Sequence, residues 1–212
     1  MTKALHLSLS AERYTPEYII APGREVLGGF DLDPASCDTA NSIVKAASYL
    51  TARDNGLAHE WDGRLFLNPP GTCKEQWIET DESGNESLIT EFPGCGTELP
   101  NGKARKVCSC DYVLRFWEKL IEHVDDGSVS AAIWIGFNPS QLQMLQQSVV
   151  SPLDFPTCFL DKRVRYLGPD LQPMNSPPHN SYVTLVAPPG SPHEDDFAEA
   201  YSRLGVVTRR YL

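Results

Sequence analysis

The residues best suited to chemistry are Asn68, Pro69 and Pro70, which close the apolar run Arg64-Leu65-Phe66-Leu67. An amino group conjugated to an aromatic ring is a poor nucleophile. A carboxamide oxygen and the carbonyl of the next residue can each accept one of its N–H groups. Two acceptors on one nitrogen draw its lone pair out of conjugation and aim it at a methyl donor. Proline suits the second position because its fixed φ holds that carbonyl still. Pro70 in turn keeps Pro69 out of the helical region, so the turn stays open and rigid. The pattern therefore points to amino-group methylation. The plainer alternative is a proline-rich turn after a core strand, in a chain that holds 17 prolines.

Such a turn needs a sheet to carry it. Phe30-Asp31-Leu32-Asp33 alternates apolar and acidic residues and is stopped by Pro34, which predicts a strand ending in carboxylates. A helix capped by Ser36 or Asp38 is expected to run to about Ser48, followed by a brief strand at Tyr49-Leu50-Thr51. Upstream, Thr15 as cap and Pro16 at the first helical position predict a short helix broken at Pro22-Gly23. Downstream, Val113, Phe116, Trp117, Leu120, Ile121 and Val124 recur at helical spacing. Ser130 to Phe137 reads as a buried strand of the parallel-sheet kind. Further strands are expected at Phe159, Val164–Leu167 and Tyr182–Val186, with helices at Gln141–Gln147 and His193–Leu204. Alternating strands and helices predict an α/β chain with an open, mostly parallel sheet and helices on both faces.

Bulk composition narrows the classes. The 212 residues suit one domain with an insertion, and 41% hydrophobic residues suffice for a core. No apolar run reaches the ~20 residues of a membrane span, and the N-terminus lacks the apolar centre of a signal peptide. A cytoplasmic location and no membrane partner are expected. The net charge of −10 argues against binding nucleic acid by overall charge. Two basic clusters stand against it: Lys103, Arg105 and Lys106, and Lys162, Arg163 and Arg165. Each is either solvated surface or a local phosphate contact. Cys37 and Cys158 read as packing residues.

Taken in order, Tyr14-Thr15-Pro16, Phe30-Asp31-Leu32-Asp33-Pro34-Ala35, Asp54-Asn55-Gly56-Leu57, Trp61 and Phe66-Leu67-Asn68-Pro69-Pro70 form a series. So do Phe116-Trp117-Glu118-Lys119-Leu120, Ile135-Gly136-Phe137-Asn138 and Pro178-His179-Asn180 further on. The whole resembles the phage Dam-type DNA adenine methyltransferases, over most of the chain outside the insertion. The resemblance implies a single Rossmann-like methyltransferase domain across residues 1–212. It also implies S-adenosylmethionine as methyl donor, double-stranded DNA as partner and the N6 amine of adenine as target. Asn68, Pro69 and Pro70 then hold the target amine. Tyr14, Thr15, Pro16, Asp31, Asp33, Pro34, Ala35, Asp54 and Asn68 border the donor. Asp54 taken alone reads first as a turn acid. The chain departs from the family in two places. Pro34-Ala35-Ser36 stands where a glycine-rich loop is usual, and Gly71 replaces an aromatic that stacks on a flipped base. Stacking would then fall to Phe137, Trp77 or Trp117. Methylation of cytosine N4, and a non-catalytic phage protein that keeps the fold and binds DNA or protein, stand as rivals.

Residues 72–110 break pattern, with scattered glycine and charge and four cysteines: Cys73, Cys95, Cys108 and Cys110. A structureless segment of this length would be unusual inside a domain, so a staple is expected. Four thiolates could hold a structural zinc, against free thiols or occasional disulfides. Such a loop would carry Lys103, Arg105 and Lys106 to DNA phosphates.

Overall fold

The computed structural model describes residues 13–69, 76–80, 86–89, 104–107, 112–146, 148–174 and 180–209. The chain divides into two compact units, 1–69 with 116–212 and 70–115. The first is an α/β unit compatible with a Rossmann-like fold. Its elements are α1 (Glu17–Leu27), β1 (Leu32–Asp33), α2 (Asp38–Val44), β2 (Ser48–Tyr49) and β3 (Gly63–Leu67). The second unit supplies β4 (Gln76–Thr80), β5 (Glu86–Ile89) and β6 (Ala104–Val107). The chain continues with α3 (Tyr112–Asp125), β7 (Val129–Phe137), α4 (Asn138–Leu145) and β8 (Thr157–Leu160). It closes with β9 (Ser181–Val186), α5 (His193–Ser202) and β10 (Gly205–Thr208).

The main sheet has the order β10-β8-β9-β7-β3-β1-β2. Strands β2, β1, β3 and β7 are parallel neighbours. Strand β9 runs antiparallel to both β7 and β8, so β8 points the same way as β7. The expectation for β7 thus holds on its β3 side only. A last edge strand, β10, follows α5 and pairs antiparallel with β8. Its alternation is weak, with Val206 exposed, so the sequence offers little sign of it.

One face of the sheet packs on α1 and α5. Ile19, Ile20, Phe66, Ile133, Ile135, Val183, Leu185, Phe197 and Tyr201 form its core. On the other face Trp117 meets Trp134 edge-on, at 5.0 Å between ring centroids, and Trp61 stacks on Phe116 at 5.7 Å. Helix α1 does not break at Pro22. It runs on to Leu27 and ends at Gly28 in the left-handed conformation (φ 71°). Proline in a helix interior costs about 3 kcal/mol, and burial of Ile19, Ile20, Val26 and Leu27 outweighs it. Gly23 permits the close approach, since a Cβ there would lie 2.8 Å from both Ile133 and the Tyr201 hydroxyl. That hydroxyl donates to the Ile19 carbonyl at 2.9 Å.

Three further expectations need correction. Thr15 does not cap α1; the capping position is Pro16, which has no side-chain bond. Helix α2 is capped by Cys37, whose sulfur accepts from the Ala40 amide at 3.5 Å, so Cys37 is more than a packing residue. The stretch Val164–Leu167 is not a strand. Its alternation is real, with Val164 and Tyr166 buried, but only Leu167 forms bridges, to Tyr14 and to Pro173.

In the second unit β4 pairs antiparallel with β5 and with β6. The described residues 76–80, 86–89 and 104–107 are thus strands, within the segment where the sequence predicts a stapled loop. The four clustered cysteines lie outside the described residues. Among the described residues no group of His, Cys, Asp and Glu is arranged to hold a metal, and no helix is long and apolar enough to cross a membrane.

Candidate functional site

The sheet topology places a switch point between β1 and β3. From β1 the chain passes outward through α2 to β2, then returns to β3 on the opposite side of β1. The loops leaving β1 and β3 therefore diverge, and open α/β sheets bind ligands at such a switch point, at the carboxyl ends of the strands. Leu32 pairs with Leu65, so Asp33 ends β1 beside Phe66 and Asn68 follows Leu67 at the end of β3. The two leading sequence candidates are brought to adjacent strand ends.

Asn68 is tightly placed. Its Nδ2 donates to the Arg13 carbonyl and to Thr15 Oγ1, each at 3.1 Å. Its Oδ1 is buried and has no partner among the described residues. A buried carbonyl without a hydrogen bond costs roughly 1–3 kcal/mol, so this oxygen has room for a donor that the described residues do not supply. Pro69 is buried, and Pro70 lies outside the described residues.

Asp33 is 2% exposed. Burial raises its carboxyl from 3.8 to about 7, although the Ala35 amide, donating to Oδ1 at 3.1 Å, and the nearby Ser36 hydroxyl both pull it down. Ser36 Oγ is itself buried, and among the described residues no hydrogen bond to it meets both distance and angle. The sequence marks Ser36 only as a small residue or cap; its orphaned hydroxyl is visible only in the fold. Pro34 is buried, Ala35 half-buried. The Pro34 carbonyl is covered by Gly56, where a Cβ would come within 1.9 Å of it. The loop bearing Asp54 is thereby pressed onto the β1–α2 turn.

Asp31 and Asp54 are otherwise engaged. Asp31 precedes β1, at the opposite end from Asp33. It forms a two-pronged pair with Arg64, Oδ2 with Nε and Oδ1 with Nη2, both at 2.8 Å. That guanidinium holds its carboxyl down at about 2. Asp54 Oδ2 accepts from the Thr51 amide at 2.8 Å and hydroxyl at 2.7 Å, closing its own turn. These bonds also hold its carboxyl below the usual range.

The segment before α1 lies against the end of β3, where the Arg13 carbonyl and Thr15 meet Asn68. Tyr14 and Leu167 exchange backbone hydrogen bonds at 2.9 and 2.8 Å, and Thr15 and Pro16 are buried. The Cys37 thiol donates to the Tyr14 hydroxyl at 3.6 Å. Because β8 runs with β7, the segment after Leu160 leaves from the same carboxyl edge. It carries Lys162, Arg163 and Arg165, all exposed. Lys162 sits 3.9 Å from Asp161, and Arg163 donates to Asn180 at 3.3 Å.

Arg105 and Lys106 stand on β6, in register with Ile78 and Trp77; Lys103 lies outside the described residues. Of the proposed stacking residues, Trp117 is fully buried between Trp134 and Phe155 and donates to the Val150 carbonyl at 2.7 Å, so it is no platform for a base. Phe137 is half-buried against Tyr166.

Comparison of the chain with protein-family models, with curated proteins and with solved structures finds no match in any of the three.

Proposed function

We propose that this chain is an S-adenosylmethionine-dependent methyltransferase that modifies the exocyclic amine of a DNA base, adenine N6 in the first instance. The observation that carries the proposal is Asn68 Oδ1: a buried acceptor with no partner among the described residues, at the carboxyl end of β3 and at the switch point of the sheet. A substrate N–H supplies the missing donor. The sequence pattern and the resemblance give the acceptor its partner, the carbonyl of Pro69.

The methyl donor fits the neighbouring strand end in kind. Asp33 is a buried carboxyl and Ser36 Oγ a buried hydroxyl without a partner among the described residues, and they suit the amino and hydroxyl groups of an adenosyl amino acid. Asp31 is left out, since Arg64 already occupies both its oxygens. When bound, S-adenosylmethionine supplies a methyl carbon made electrophilic by its sulfonium. Asn68 and Pro69 do the rest by orientation. With both N–H groups held, the amine nitrogen would be pyramidal with its lone pair directed at the methyl carbon; the N–C bond would form as the S–C bond breaks, the thioether S-adenosylhomocysteine would leave, and the nitrogen would shed one proton. Alignment and exclusion of water supply most of the rate. Lys162, Arg163 and Arg165, exposed on the same edge as Asn68, would be the residues to meet phosphates.

The test is transfer of a labelled methyl group to duplex DNA, followed by nucleoside analysis. N6-methyladenine is expected; N4-methylcytosine would move the target base and keep the chemistry. Asn68→Ala should lower turnover at least ~100-fold while donor affinity, read by calorimetry, stays within about twofold. Wild-type turnover in Asn68→Ala would remove Asn68 from its role. Failure of the intact protein to bind the donor would end the enzymatic proposal and favour a binding protein.

A further inference from the structure

Resting on the proposed role of Asn68, we infer that Thr15 is a positioning residue: with the Arg13 carbonyl it fixes which edge of the Asn68 carboxamide faces the substrate. The terminal torsion of asparagine is broad and nearly two-fold. An unrestrained Asn68 would therefore offer its NH2 to the substrate about as readily as its oxygen, and an NH2 cannot accept from an amine. The choice of edge is chemical and does not depend on telling nitrogen from oxygen by shape. A backbone carbonyl only accepts, so the atom 3.1 Å from the Arg13 oxygen must be the NH2. The second hydrogen of that NH2 goes to Thr15 Oγ1, also at 3.1 Å. Both donors are then used, and the oxygen is left as the single free function of the side chain.

The segment before α1 is built to hold this pose. Thr15 is 3% exposed. It stands between Tyr14, tied to Leu167 by two backbone bonds, and Pro16, whose ring keeps Thr15 extended. Turning the carboxamide over would set two oxygens against each other at the Arg13 carbonyl. The resemblance assigns Thr15 to the methyl donor; the hydrogen-bond pattern assigns its hydroxyl to Asn68.

The two assignments separate in kinetics. Thr15→Val keeps the shape and removes the hydroxyl, and Thr15→Ser restores it. With labelled donor and duplex DNA, Thr15→Val should lower kcat roughly tenfold, the loss expected from one neutral hydrogen bond. Donor Kd and DNA KM should stay within about twofold, and Thr15→Ser should return most of the rate. A rise in donor Kd with kcat unchanged overturns the inference and makes Thr15 a donor contact. Unchanged kcat, Kd and KM overturn it as well. If Thr15→Val does not fold, the wild-type protein decides. Its two Asn68 side-chain amide protons should exchange slowly by 15N NMR, and rapid exchange would overturn the assignment. A wild-type protein that transfers no methyl group fails the functional proposal, whatever the amide protons do.

Discussion

A carboxyl group at Asp33 that is withdrawn from water and left near neutrality has a measurable cost. Its folded value is about 7 against 3.8 for the ordinary carboxyl. Between those values the native chain holds a proton that the unfolded chain has lost, so stability falls as pH rises from about 4 to 7 and levels off above. The full difference corresponds to on the order of 4 kcal/mol. Asp33→Asn keeps an oxygen for the Ala35 amide and cannot ionise. Urea unfolding should find the variant more stable than wild type at pH 8 and nearly level with it at pH 4. Donor affinity should fall in the same variant, because stability lost at a binding site is commonly the counterpart of function. A wild-type profile flat between pH 4 and 7 would rule out the buried, near-neutral carboxyl.

Two close approaches set the elements around the switch point. Gly56 lies against the Pro34 carbonyl, where a Cβ would stand 1.9 Å from that oxygen. Both partners are backbone, so Gly56→Ala must push the 51–58 loop off the β1–α2 turn. A destabilisation of roughly 1–3 kcal/mol is expected, together with weaker donor binding, since the displaced turn carries Pro34 and Ala35. Gly136 on β7 faces the ring of Tyr182 on β9, where a Cβ would stand 1.9 Å from Cζ. Gly136→Ala should destabilise by less in urea. The contrast between the two is diagnostic: a ring can turn aside in part, and a carbonyl in a tight turn cannot. Equal donor affinity in Gly56→Ala and wild type would detach the loop from the site.

For the molecule as a whole, charge distribution decides how an acidic chain meets a polyanion. The net charge is −10, so overall charge gives no long-range attraction to DNA and the proposed binding would rest on local contacts. Lys162, Arg163 and Arg165 occupy the carboxyl edge, whereas Glu194, Asp195 and Asp196 open α5 on another part of the fold. Replacing all three cations by alanine should weaken duplex binding uniformly across sequences. It should also flatten the plot of log affinity against log salt by about 0.9 for each phosphate that these side chains neutralise. An unchanged slope would place the DNA elsewhere, with Arg105 and Lys106 of β6 the next residues to test.

What the amino-acid sequence determined by itself was the local grammar. Apolar runs closed by proline located β1 and β3, and helical spacing located α3, because burial on one face imposes a period that composition cannot hide. The end of β3 before Asn68 was legible for the same reason: few other residues stop a strand so abruptly. Partners distant in the chain were not legible. Pro22 argues for a broken helix as long as α5 and β7, which pack on α1, are out of sight, and tertiary burial outweighs a local preference of a few kcal/mol. Asp31 and Asp33 look alike in sequence, yet one meets Arg64 at the strand's start and the other is sealed at its end. The tertiary structure alone chose between them. It did so through which side of the sheet each loop returns on, a choice that sets solvation and bonding partner at once.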